Sequence, residues 1–520
     1  MSRSLAALFL LLAVSLFANC RRQSDSFVVA LETRPETLDA MRGTDASSER
    51  LRQLMFNTLV KKDEKFEYVG DLATTINASP DGLTFAFTLP EGVTFHDGRA
   101  LTSADAKYTL DTLLASDSRK AASFYEGSGA NRQSYIDSIA APDAKTLVIT
   151  LKKPWNQLLN NLVAIPVIPQ GSAETQKDRP VGSGPFRFVR YDEPQQYVDL
   201  EAFDKYWQGA PPIKKLRVRV ILDPNTLQAE LKSGRIDLVP PFATLSPDAY
   251  QSFQNDPNFK VEKFPGANIV YLQFNVEGAP LTDARVRQAI AYGINRESLV
   301  RDLLLNQAEV AHSILPRESW AYAAGQQYAY DQERAKKILD EANFKPGANG
   351  MRFSQPIVFK ISSGNVATRQ FSTVMQNSLK EIGIPVEIES LELNSLLDQL
   401  RNGQYQMTTS RWIGGNQDPI FLRDLFSSTQ IPTQADRSGR NRSRYHNDEA
   451  DGLLAEAISS LDRDRQRALY VRVQEIVSRD LPMLPLWYPS QMIIARRGVG
   501  NIKIDGSGDW SFLRSVTSDK

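Results

Sequence analysis

The sequence predicts an α/β protein with mixed sheets, divided into roughly two to four domains because its length exceeds a single hydrophobic core. Three observations carry this. From Phe27 onward, segments of alternating apolar and polar residues interleave with segments whose apolar residues recur at helical spacing. Residues 357–391 read as strand, helix, strand, the form of a βαβ unit. The chain has 520 residues and no repeat or low-complexity tract.

The elements follow in order. Leu83, Phe85, Phe87 and Leu89 alternate with Thr84, Ala86 and Thr88, a half-buried strand entered through the turn Ser79-Pro80-Asp81-Gly82. Thr102 with Asp105 three residues on is a capping-box signature, and Tyr108, Leu110, Leu113 and Leu114 continue as a helix. Leu147, Ile149 and Leu151 form another alternating strand after the Pro142-Asp143 turn.

Further strands are expected at Phe186 to Val189, Tyr197 to Leu200 and Leu216 to Leu222, the last with Leu216, Val218 and Val220 on one face. Ser246 caps a helix that opens with Pro247, where proline forfeits no bond. Asp283 caps a helix carrying Val286, Ala289 and Ile290; Asn295 caps one carrying Leu299, Leu303 and Leu304; Asp331 caps one carrying Ala335, Ile338, Leu339 and Ala342. After Pro356 come a strand at 357–361, a helix near 367–382 and a strand at 385–391, a second core.

The ends set the compartment. Arg3 and the apolar run Leu5 to Phe17 read as an export signal, too short for the roughly 20 residues that span a bilayer. The single cysteine, Cys20, ends this run where a lipoprotein signal places its acylated thiol, and Leu16-Phe17-Ala18-Asn19-Cys20 resembles a bacterial lipobox, with Phe17 and Asn19 departing from it. Ordinary cleavage near Ala18 or Cys20 is the alternative, and neither route leaves a disulfide.

Balanced charge, 61 basic and 61 acidic residues, speaks against a nucleic-acid partner, which calls for a basic stripe. Arg437, Arg440, Arg442 and Arg444 cluster in a Ser-rich stretch and read as a solvated loop. Enzymatic signatures are missing: there is no Gly-x-Ser-x-Gly elbow, no P-loop and no His-Glu-x-x-His helix. The three histidines, His96, His312 and His446, lie far apart, and neither a metal nor a cofactor is expected.

Specific segments then accumulate. Leu89-Pro90-Glu91-Gly92-Val93-Thr94-Phe95-His96-Asp97-Gly98 precedes Leu101-Thr102-Ser103-Ala104-Asp105, and Gly182-Ser183-Gly184-Pro185-Phe186 follows. Asp283-Ala284-Arg285-Val286-Arg287-Gln288-Ala289 with Asn295-Arg296, and Leu481-Pro482-Met483-Leu484-Pro485-Leu486-Trp487, complete the set. In this order and spacing the chain resembles the family 5 extracytoplasmic solute-binding proteins of oligopeptide, dipeptide and nickel ABC importers.

The resemblance implies a two-lobed periplasmic-binding-protein fold with a hinge and an extra third domain. It puts lobe I in 21–55, 167–268 and 493–520, domain II in 56–166 and lobe III in 269–492. The ligand would lie between lobes, in a monomer that meets a separately encoded permease and ATPase and touches the membrane through a lipid on Cys20. A small solute is implied, a peptide first, with an oligosaccharide, a metal chelate or a role as an extracytoplasmic ligand sensor left open.

In peptide-binding members an Asp three residues after a Trp holds the peptide ammonium. Here Trp412 is followed by Ile413, Gly414 and Gly415, so glycine stands in its place, and Asp418-Pro419 resembles the neighbouring pair of that motif. A buried ammonium without a carboxylate is costly. The glycines let the backbone of 412–416, including Asn416, approach a ligand closely. Trp412 offers a flat apolar wall or a core side chain, and Arg411 can hold a carboxylate bidentately. Tyr271 and Thr33 are the remaining cleft candidates.

Overall fold

The computed structural model describes residues 25–126, 132–241, 245–363, 366–414, 417–434 and 437–519. Two large sheets organise it. The first has seven strands in the order 186–192, 197–202, 215–220, 27–31, 238–239, 491–496, 259–264. Its centre is parallel, with Phe27 to Leu31 opposite Leu216 to Val220, while 491–496 runs antiparallel to both of its neighbours. The second has six strands in the order 308–310, 483–489, 269–274, 407–412, 357–362, 386–391. A smaller antiparallel sheet joins 75–78, 84–88, 146–151 and 136–140.

Side-chain alternation explains how each sheet buries both faces. Val29, Leu216 and Val218 point into a core that continues without a break to Phe87, Leu147 and Ile149 of the four-stranded sheet. Val28, Ala30 and Ile494 point the other way, onto Leu227, Leu231 and Phe253. In the six-stranded sheet Val270, Leu272 and Phe274 share one core with Ile357, Phe359 and Leu379. Ile269 and Tyr271 face another, with Phe421, Tyr470 and Val473.

The chain leaves the first sheet at Phe264 and re-enters it at Gln491, so two short segments link the two bodies. They touch each other: a Cβ on Gly266 would lie 1.8 Å from the Pro489 carbonyl oxygen, so only glycine fits where the crossings meet.

Most local signals hold. Thr102 N–H donates to the Asp105 carboxylate (2.9 Å), and the helix runs Ser103–Ala115. Ser246, Asp283 and Asp331 cap Pro247–Gln254, Ala284–Gly293 and Gln332–Glu341. The βαβ unit is Ile357–Ser362, Val366–Glu381 and Val386–Leu391, its strands parallel. The segment after Asn295 differs. Asn295 Oδ1 accepts from Ser298 N–H (2.8 Å), but only 296–298 are α-helical, and Leu299–Leu303 widens to a π turn with Leu304 N–H on the Leu299 carbonyl. Positive φ at Leu305 and Asn306 then ends it.

Candidate functional site

The site grows from the pairing of 269–274 with 407–412, in which Ile269 faces Trp412, Val270 faces Arg411 and Tyr271 faces Ser410. Period-two geometry therefore puts Tyr271 and Trp412 on one face and Arg411 on the opposite one. Tyr271 is 2% exposed, and burial pushes its hydroxyl up to about 12. The Trp412 ring stacks on Tyr271 (6.4 Å, 18°) and meets Phe421 edge-on (5.1 Å). Trp412 is half-buried against this core, and its indole N–H is enclosed without an acceptor among the described residues. The side chain is thus part core and part wall.

Arg411 is open to solvent at its rim yet surrounded closely enough that desolvation lowers its pKa, and it has no ion pair among the described residues. Gly414 turns at φ 73°, and its N–H donates to Asn268 Oδ1 (3.1 Å). No atom would meet a Cβ there, so the left-handed backbone and not crowding selects glycine. Gly415 and Asn416 lie outside the described residues, as does Cys20.

Asp418 is engaged by the other body of the molecule. Tyr68, on strand 68–70, donates its hydroxyl to the Asp418 carboxylate and lies 3.0 Å from Asn160 Oδ1. Asp418 also caps its own turn through Ile420 N–H (2.9 Å). Lys62 sits over the Tyr68 ring (5.7 Å), and burial lowers its pKa against the opposing pull of Asp418. Arg463 lies over Trp320 (3.2 Å) and 4.0 Å from Glu67.

Thr33 belongs to the first body. It is exposed in the loop after strand 27–31, its hydroxyl 2.6 Å from that of Ser47. The structure thus brings Tyr271, Arg411, Trp412 and Gly414 onto one strand pair and its exit, with Asp418 just beyond, and gives Thr33 a separate setting.

The arginine-rich stretch is a loop with Arg437 and Arg440 exposed, as expected, but it is pinned to the core just beyond them. Asn441 and Ser443 are fully buried, Asn441 Nδ2 donating to the carbonyls of Ser427 (3.0 Å) and Tyr445 (2.8 Å). Anchored so, the loop folds Arg440 over the Trp412 ring (5.9 Å), where it also pairs with Asp424 (3.0 Å). Arg442 comes beside the hydroxyls of Tyr271 and Tyr405, and burial lowers its pKa. The alternation of small polar residues with Arg440, Arg442 and Arg444 was the available sign.

His96 joins two of the sequence segments. It accepts from Gly182 N–H at Nδ1 (3.3 Å), so Nε2 carries the proton and donates to the Gly184 carbonyl (3.0 Å), while its ring meets Phe203 edge-on. Burial pushes it down to about 4. Gly182 and Gly184 are required because a Cβ on either would fall within 2.4 Å of Met55 backbone atoms. The described residues contain no group of three His, Cys, Asp or Glu side chains that could hold a metal, and no helix long and apolar enough to cross a membrane.

Comparison with known proteins agrees with this architecture. The chain is 27% identical over 493 residues to the oligopeptide-binding protein AppA of Bacillus subtilis, covering 90% of this chain and 87% of that one. It is 28% identical over 463 residues to heme-binding protein A of Haemophilus influenzae, covering 84% and 81%. The fold matches the ABC transporter substrate-binding protein CtaP of Listeria monocytogenes with a TM-score of 0.82 at 22% identity, over 95% of this chain and 99% of that one. Residues 67–434 match the model for bacterial extracellular solute-binding proteins, family 5. With that match spanning most of the chain and a two-lobed α/β fold around it, the protein belongs to the family 5 solute-binding proteins.

Proposed function

We propose that this chain is the substrate-binding component of an ABC importer, which captures a peptide or similar small solute outside the cytoplasm and delivers it to a permease driven by a separate ATPase. The observation that carries the reading is the pairing of two sheet-centred bodies through only two crossings, at Gly266 and Pro489. Such a hinge lets ligand contacts to both bodies favour the closed arrangement. Lobe I is assigned to 21–55, 167–268 and 493–520, domain II to 56–166 and lobe III to 269–492. The ligand is assigned to Trp412, Gly414, Gly415, Asn416 and Asp418 of lobe III, with Thr33 contributed by lobe I, while the buried Tyr271 backs the Trp412 ring and Arg411 lies on the opposite face of the strand.

The protein acts as a monomer, held at the membrane by a lipid on Cys20, and performs no chemistry on its ligand. Residue 415 is glycine where peptide-binding relatives are expected to place the carboxylate for a free amine, which favours ligands recognised otherwise.

A thermal-shift panel tests the role, using the chain from residue 21 against free peptides, N-blocked peptides, oligosaccharides and metal chelates. A ligand at 100 times its dissociation constant adds about 2.7 kcal/mol to folding stability. A shift from one class and not the others is the expected result. The absence of any shift from all four would count against a solute receptor.

A further inference from the structure

Among the described residues four arginines are more than nine-tenths buried: Arg50, Arg52, Arg287 and Arg296. Arg50 pairs with Glu32 (2.5 Å) and Arg52 with Glu49 (2.6 Å). Arg287 meets backbone carbonyls, and its Nε reaches two of them, those of Asp480 and Leu481 (both 3.1 Å). Arg296 differs from all three. It is 2% exposed, no carboxylate lies within ion-pair distance among the described residues, and its Nε is enclosed without a hydrogen-bond partner. Glu297, the acidic side chain that acts on it, is exposed to solvent.

The rest of the guanidinium is held firmly. Nη1 donates to the carbonyls of Ala311 (2.6 Å) and Pro485 (2.7 Å), and Nη2 to that of Tyr328 (2.8 Å), so the side chain ties loop 311–328 to strand 483–489. A second unmatched atom stands beside it. His312 Nδ1 is also enclosed without a partner, and Arg296 and His312 line one cavity of about 30 Å³. Burial and the neighbouring guanidinium lower the His312 pKa, so its ring is neutral at pH 7. A neutral ring can carry its one proton on Nδ1, which makes both unmatched atoms donors.

A guanidinium keeps its charge when buried, and an uncompensated buried charge is costly. A water would fill the space but leave that charge unbalanced. The cavity has room for only one or two water-sized particles. Ile314, Leu422, Phe426 and Leu484 supply apolar walls, which offer no donors to the several oxygens of a larger oxyanion. We infer that this cavity is a binding site for a small monovalent anion of halide size, held by Arg296 Nε and His312 Nδ1. Such an ion braces lobe III from inside, behind the strand that pairs with 269–274, and the inference does not depend on which solute the receptor takes.

The test is crystallography of the chain from residue 21 with bromide in place of chloride, because anomalous scattering tells a halide from water. An anomalous peak within hydrogen-bond reach of both Arg296 Nε and His312 Nδ1 is expected. In solution, urea unfolding at fixed ionic strength, with gluconate exchanged for chloride, should show a folding constant that rises about tenfold for each tenfold of chloride above its dissociation constant, as one bound ion requires. His312→Ala, which breaks no hydrogen bond among the described residues, should need about tenfold more chloride for the same gain, as loss of one hydrogen bond to a charged group implies. Density in the cavity without anomalous signal, which is water only, or an empty cavity would overturn the inference. So would a chloride dependence identical in the parent and in His312→Ala.

Discussion

His96 allows a quantitative prediction. Its ring is held neutral by Gly182 N–H and the Gly184 carbonyl, and burial pushes its pKa from 6.5 to about 4. A base with a depressed folded pKa lets the unfolded chain take up the proton first as pH falls. Its stability contribution is therefore complete above 6.5 and is lost through the window from 6.5 down to about 4. Between pH 7.5 and 4.5 these values give a loss of about 2.5 kcal/mol, which solvent at the ring's accessible edge reduces to about 2 kcal/mol.

The perturbation is His96→Asn, which cannot titrate. Urea unfolding of both proteins at the two pH values gives a difference of differences in which all other titrating groups cancel. The variant should be less stable at pH 7.5, having lost the ring's contact with Phe203, yet should decline on acidification by about 2 kcal/mol less than the parent. Equal declines would refute the assignment of His96 as a buried neutral link between the two segments.

Other predictions address the remaining parts of the account. Trp412→Ala removes a half-buried ring stacked on Tyr271 and edge-on to Phe421, so it should cost about 2 kcal/mol of stability as well as weaken solute binding, both readable from melts with and without ligand. Gly184→Ala would put a methyl 2.4 Å from the Met55 carbonyl carbon and should cost about 3 kcal/mol, seen as a lowered urea midpoint with unchanged slope. Tyr68→Phe deletes the hydroxyl that meets Asp418 and should loosen the approach of the two bodies by about 2 kcal/mol. Small-angle scattering of the ligand-free variant is expected to give a larger radius of gyration than the parent.

What the sequence revealed was local. A capping residue and the helix it starts lie within a few positions, so Thr102 with Asp105, Ser246, Asp283 and Asp331 could be read directly. Asn295 is legible as a cap, whereas the π turn after it, followed by the left-handed Leu305 and Asn306, carries no sequence signal. The site is legible only where one strand carries it, as with Arg411 and Trp412. Even there, alternation separates them onto opposite faces, which adjacency in sequence conceals.

Contacts closed over long separations were hidden. Tyr68 and Asp418 are 350 positions apart, and neither has a motif that points to the other. The loop around Arg442 is hidden for a related reason. Arginines in a Ser-rich stretch are usually solvated, and only the burial of Asn441 and Ser443 turns this loop inward over Trp412.

The most direct measurement of the central claim is equilibrium dialysis of the chain from residue 21 against the solute that stabilises it best, followed by mass spectrometry of the bound fraction. The account predicts saturation at one solute per chain, recovery of that solute chemically unchanged, and loss of binding in the Trp412→Ala variant. Conversion of the solute to a product at a rate abolished by the same substitution would contradict a receptor, as would binding that never saturates.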